Sequence, residues 1–82
     1  MPRSRVSSPI TSEFGRRVRA RRARLGLSQM ALAERADVHF TFVSDIERGV
    51  RNPSLLTMVK IAGALDVDLS RLVRDLDASS ET

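Results

Sequence analysis

Apolar residues return every three to four positions in five separate stretches of the chain, which is the period of one helix face, so the sequence predicts an all-α fold. The first stretch begins at about Thr11 or Ser12, either of which can cap a helix, and ends near Leu25. Phe14, Val18 and Leu25 share its face, Glu13 suits the positive end of its dipole, and Gly26 is its stop. The second starts behind Ser28, whose hydroxyl can accept from an amide one turn on, and carries Met30, Leu32, Ala33 and Ala36. At Asp37 and Val38 the pattern breaks; His39 then offers a cap for a third helix with Val43 and Ile46 on one face, closed by Gly49. Pro53 fits the loop before a fourth helix from about Ser54 to Leu65, where Leu55, Met58, Val59, Ala62 and Leu65 keep the period. Asp68 can cap a fifth, from about Leu69 to Leu76, striped by Leu69, Leu72, Val73 and Leu76. Residues 1–10, MPRSRVSSPI, show no period and are expected to form a flexible basic arm, and residues 77–82 a polar tail.

The second and third helices are each roughly eight to ten residues long and are separated by a turn of about three, the spacing of a helix-turn-helix. The third would present Phe40, Thr41, Ser44 and Asp45 outward, as suits reading a DNA groove. By periodicity alone a plain helical hairpin remains open.

Charge favours the first of these. The net charge is +4, but residues 1–51 hold eleven arginines against five acidic residues, whereas residues 52–82 hold three basic side chains against five acidic ones. The half that contains the helix pair is therefore the basic half, an asymmetry suited to a polyanion on one side. Six arginines lie between Arg16 and Arg24, either as a solvated face or partly toward phosphate, and Arg3 and Arg5 in the arm are candidates for phosphate or minor-groove contacts.

With 82 residues the chain is one domain, burying only about 60% of its unfolded surface, so a partner subunit would help its core. It has no cysteine, and its one histidine, His39, lacks companions at ligand spacing, so no metal site and no cofactor is expected. The glycines are isolated, which excludes a phosphate loop, and a nucleophilic triad has no parts here; an enzyme is not expected. No apolar run approaches the roughly 18 residues of a membrane helix and no signal-peptide pattern is visible, so the expected compartment is the cytoplasm, with no membrane partner and no evident small-molecule ligand.

Five motifs in order carry a resemblance: Leu27-Ser28-Gln29, Leu32-Ala33-Glu34, Ile46-Glu47-Arg48-Gly49, Asn52-Pro53-Ser54, and Lys60-Ile61-Ala62 with Ala64-Leu65. Together, over about residues 14 to 74, they resemble the Cro/C1-type, or Xre, helix-turn-helix family. The resemblance implies a lambda-repressor-like DNA-binding domain over residues 11–76, with its motif at about 28–49, acting as a homodimer on a palindromic operator in double-stranded DNA. It implies an ion pair between Arg22 and Glu47. Gln29, beside Ser28 at the helix start, would meet a phosphate, and Arg48, Arg51 and Asn52 would form a second phosphate clamp. Phe40, Thr41, Ser44 and Asp45 would read base edges, with His39 a cap and phosphate neighbour. Asp45 either accepts from a cytosine amino group or pairs with Arg48 or Arg51, and Phe42 leans on DNA backbone or on the core edge. Leu69, Leu72, Val73 and Leu76 would serve both the core and a dimer contact. The layout resembles restriction-modification controller proteins, with phage-type repressors and antitoxins as near relatives in kind. Two rivals are a protein-interaction module that uses the same fold to bind a toxin or a polymerase subunit, with Phe40 and Phe42 in a protein-facing patch, and an arginine-rich first helix lying on anionic lipid.

Overall fold

The computed structural model describes residues 8–77, and the expected arm residues Arg3 and Arg5, like the tail beyond Asp77, lie outside them. Five helices follow one another: α1 Pro9–Arg24, α2 Gln29–Ala36, α3 Phe40–Glu47, α4 Leu55–Ala64 and α5 Leu69–Val73. There is no strand among the described residues.

α1 begins earlier than the period suggests. Its cap is Ser8, not Thr11 or Ser12: the Ser8 hydroxyl accepts from the Thr11 amide at 3.1 Å, and the Thr11 hydroxyl accepts from the Ser8 amide at 3.0 Å. This reciprocal box, with threonine in the place usually held by glutamate, is followed by Pro9, whose missing N–H costs nothing at a first helical position. Residues 8–10 therefore belong to the domain and not to the arm. The Thr11 hydroxyl, itself buried, donates to the Gly49 carbonyl at 2.9 Å and ties the start of α1 to the end of α3.

α2 and α3 are capped by Ser28 and His39 and joined through Asp37, which takes the left-handed conformation at φ 57°. Aspartate tolerates that region better than most side chains. The core is made where α1, α2, α3 and α4 face one another: Val18, Leu32, Val43, Ile46, Ile61 and Leu65 are fully buried, with Phe14 beside them.

Two apolar stripes differ from expectation. On α2, Met30 is 60% exposed, because it lies in the first turn, off the face that buries Leu32, Ala33 and Ala36. On α4, Leu55 and Val59 are exposed with Leu56, while Ile61, Ala62 and Ala64 turn inward. That helix is apolar nearly all round, and only one stripe of it can face the core.

α5 is shorter than expected. It ends at Val73, and the chain bends through Asp75 at φ 53° before Leu76. Asp68 stands at its N-terminus, but its carboxylate accepts from the Ser70 hydroxyl at 2.8 Å and caps no helix amide. Leu72 is buried in the core of the chain itself, with Leu69, Val73 and Leu76 partly buried against it.

Candidate nucleic-acid interface

α3 is held by α1 through a close backbone approach and a buried ion pair. Gly15 of α1 lies where any Cβ would strike the Ile46 carbonyl and come within 3.1 Å of Glu47 Cα, so the two helices touch backbone to backbone. Two turns further along α1, Arg22 Nε and Nη2 donate to the two Glu47 carboxylate oxygens at 2.6 and 2.9 Å, while Nη1 donates to the Leu27 carbonyl at 2.9 Å. The Glu47 side chain is only 3% exposed. This fork-to-fork geometry holds the Arg22 proton more firmly than usual, the hydrogen bond to Glu47 being the main cause. Gln29 Nε2 also donates to Glu47, at 3.0 Å. One amide hydrogen of Gln29 is thereby committed, and the second is left for another acceptor beside the start of α2.

The first turn of α3 is fixed by His39, whose Nδ1 accepts from the Thr41 amide at 3.1 Å and lies 2.9 Å from the Thr41 hydroxyl. His39, Phe40 and Thr41 are exposed, and Ser44 and Asp45 are half-buried. Ser28 accepts from the Ala31 amide at 3.0 Å and caps α2 next to Gln29. Asn52 is exposed in the loop beyond α3.

Asp45 is engaged by two arginines at once. Its Oδ1 accepts from Arg48 Nη2 at 2.8 Å and its Oδ2 from Arg51 Nη2 at 3.2 Å. The carboxyl is held below the usual range, first by the Arg48 hydrogen bond, against a smaller opposing effect of burial and with help from Arg51. The Arg51 guanidinium also lies 4.3 Å from the centre of the Phe42 ring, which gives Phe42 its place at the edge of this loop. Nothing in the residue pattern signals this stacking, because the two residues meet only once the loop after Gly49 has turned.

The arginine run of α1 divides between uses. Arg21 Nε donates to the Leu65 carbonyl at 3.0 Å, and Arg17 Nη1 to the Arg74 carbonyl at 2.7 Å, so both meet carbonyls at the C-terminal ends of α4 and α5. The Leu65 carbonyl, at the C-cap of α4, lies at the negative end of that helix's dipole, whereas Arg74 is extended and its carbonyl lies just beyond α5. Arg16 and Arg17 also clasp Glu13. Arg19 and Arg24 are exposed. Among the described residues there is no group of three or more side chains suited to a metal ion, and no helix is long and apolar enough to cross a membrane.

The chain is similar to known proteins over this same region. A family model described as helix-turn-helix matches residues 18–72. The control protein C.BamHI of Bacillus amyloliquefaciens is 49% identical over 63 residues, covering 76% of this chain and 78% of that protein. The immunity repressor protein of Bacillus phage phi105 is 42% identical over 59 residues, covering 72% of this chain but only 41% of the repressor's length. Among solved structures, the restriction-modification controller protein C.AhdI from Aeromonas hydrophila superposes with a TM-score of 0.74 at 40% identity, covering 76% of this chain and 94% of that one. The biofilm regulator SinR in complex with DNA superposes at 0.70 and 36% identity, covering 73% and 97%.

Proposed function

We propose a function from one premise: the chain belongs to the helix-turn-helix family of the Cro/C1 (Xre) type. It is a DNA-binding transcriptional regulator and not an enzyme. In this reading α3 enters the major groove, with Phe40, Thr41 and Ser44 against base edges. The start of α2, at Ser28 and Gln29, meets the backbone on one side, and Arg48, Arg51 and Asn52 meet it on the other. The observation that carries the reading is the pinning of α3 from behind, by the cluster of Arg22, Glu47 and Gln29 and by the close approach at Gly15, while its outer face stays open. A rigid element with an exposed polar face is what groove reading needs.

The regulator acts as a homodimer on a palindromic operator. Its second copy packs on the α4–α5 side, where Leu55 and Leu56 are each 66% exposed and Val59 51% exposed along one helix, and where Val73 at the end of α5 and Leu76 just past it are half-buried. Similarity to C.BamHI and C.AhdI supports control of a restriction-modification operon, exercised on DNA in the cytoplasm.

The test is selection from a random duplex library, with affinity followed as salt is raised. Enrichment of a palindrome bound about a thousandfold or more tighter than random duplex supports the reading. Binding that enriches no sequence and disappears steeply with salt reduces the contacts to phosphate alone and leaves protein docking as the function of the exposed Phe40.

A further inference from the structure

The base-reading helix carries one acidic side chain on the face offered to a polyanion. Asp45 sits in the last turn of α3, and a carboxylate there repels phosphate unless something neutralises it. Two cations do so. Arg48 reaches it from the end of the same helix at 2.8 Å, and Arg51 from the following loop at 3.2 Å. These are two of the three residues placed in the second phosphate clamp, so in the free protein the clamp is closed on the protein's own carboxylate.

We propose that Asp45 is a specificity-determining residue that lowers affinity for DNA of arbitrary sequence by holding Arg48 and Arg51 away from phosphate. The inference rests on the DNA-binding reading above. The two arginines are held unequally. Arg48 is 53% exposed and tied by one contact, whereas Arg51 is 32% exposed, stacked on Phe42, and has a buried Nε with no partner. Pairs this open to solvent are weak, so a phosphate brought close in a well-seated complex replaces the carboxylate at little cost. On a mismatched duplex the seating is looser, and the carboxylate keeps its arginines. Asp45 thus subtracts from every non-specific encounter and much less from the matched one. This is discrimination obtained by weakening the wrong complex.

The experiment compares wild-type full-length protein with Asp45→Asn, on random duplex and on the operator selected from the library, across a salt series. Each phosphate contact contributes about 0.9 to the slope of log affinity against log salt, and about threefold in affinity between 50 and 200 mM. Asp45→Asn is expected to bind random duplex more tightly than wild type, with a slope steeper by about 0.9 or more, so that its advantage shrinks about threefold between 50 and 200 mM, and to gain less on the operator, so that the operator-to-random ratio falls. The same substitution in an Arg48→Gln, Arg51→Gln background, read against that background, is expected to change neither quantity. Three results overturn the proposal: unchanged binding to random duplex; loss confined to one operator position, as for a carboxylate accepting from cytosine; or a gain that persists without the two arginines. Circular dichroism of each variant establishes that the fold is intact. The wild type's own operator-to-random ratio tests the DNA-binding reading, and the variant-to-wild-type ratio tests Asp45, so either can fail without the other.

Discussion

Arg22 and Glu47 meet fork to fork, at 2.6 and 2.9 Å, with Arg22 15% and Glu47 3% exposed. Residues 25 apart in sequence are joined at the point where α1, the start of α2 and the end of α3 converge, because Arg22 also binds the Leu27 carbonyl and Glu47 also accepts from Gln29. Removing either partner strands a charge that water barely reaches. Glu47→Ala or Arg22→Ala is expected to lower stability by about 3 kcal/mol, the low end of the range for buried pairs because Arg22 keeps some solvent. Removing both together costs less than the sum of the single changes. Urea unfolding of the two single variants and the double variant measures this.

The two glycines of α1 and α4 give opposite expectations. A methyl at Gly15 meets the Ile46 carbonyl and the Glu47 backbone, neither of which can rotate away, so Gly15→Ala destabilises by about 1–3 kcal/mol or prevents folding. A methyl at Gly63 meets nothing within 4 Å, so Gly63→Ala stabilises by roughly 0.5–1 kcal/mol through the entropy of the unfolded chain. Thermal unfolding of both variants distinguishes a real helix–helix approach from a general helix-propensity effect.

These positions also show what is legible in the sequence. Helix number and order follow from periodicity, and Ser28 and His39 stand at the N-caps of α2 and α3, with side chains that accept from the Ala31 and Thr41 amides; Ser54, expected as the first residue of the fourth helix, is instead its N-cap and accepts from the Thr57 amide. The start of α1 is hidden because its capping box uses Thr11 where the familiar signal is a glutamate, so Ser8 passes for part of the arm. The buried stripe of α4 is hidden for a different reason. Leu55, Leu56, Met58, Val59, Ile61 and Ala62 offer several stripes, and only the packing of α4 on α2 and α5 selects the one that is buried. At the candidate site, the Arg51–Phe42 stacking needs the loop's path, which no residue pattern states.

Glu13 gives a pH signature. Its carboxyl is drawn down from 4.5 to about 2, first by hydrogen bonding to Arg16 and then to Arg17. A carboxyl whose folded value lies below its unfolded one contributes stability that is complete above the unfolded value and lost as pH falls toward the folded one. The stability difference between wild type and Glu13→Gln is therefore expected to be constant from neutral pH to about 4.5 and to shrink steadily toward pH 2. Urea midpoints at a series of pH values check it; a difference that is flat throughout would show that Glu13 is not held by these arginines.

The proposed dimer face makes a separate claim. Leu56 is 66% exposed and outside the chain's own core, so Leu56→Asp is expected to leave the monomer folded while shifting the association equilibrium toward monomer. Burying a carboxylate between two copies without a partner is costly. Sedimentation of wild type and variant reads the change directly. An unchanged association constant would remove α4 from the contact.

Thr41 separates reading of bases from holding of the backbone. Its hydroxyl lies 2.9 Å from His39 Nδ1 and its amide is capped by the same nitrogen, so the side chain serves α3 as well as any DNA it meets. Thr41→Ser keeps the hydroxyl beside His39 and removes only the methyl, the group able to touch a thymine methyl. If that contact is made, Thr41→Ser costs roughly 1 kcal/mol at one operator position and nothing on random duplex, with the salt slope unchanged. Arg48→Gln is the complementary change: it is expected to weaken binding to the matched operator and flatten its salt slope by about 0.9, and to cost less on random duplex, where Asp45 keeps the arginine. Measured together, the two variants assign the first turn of α3 to sequence and its far end to phosphate. No loss on any sequence from Thr41→Ser would instead make Thr41 part of the cap alone, because the hydroxyl and amide that meet His39 are kept.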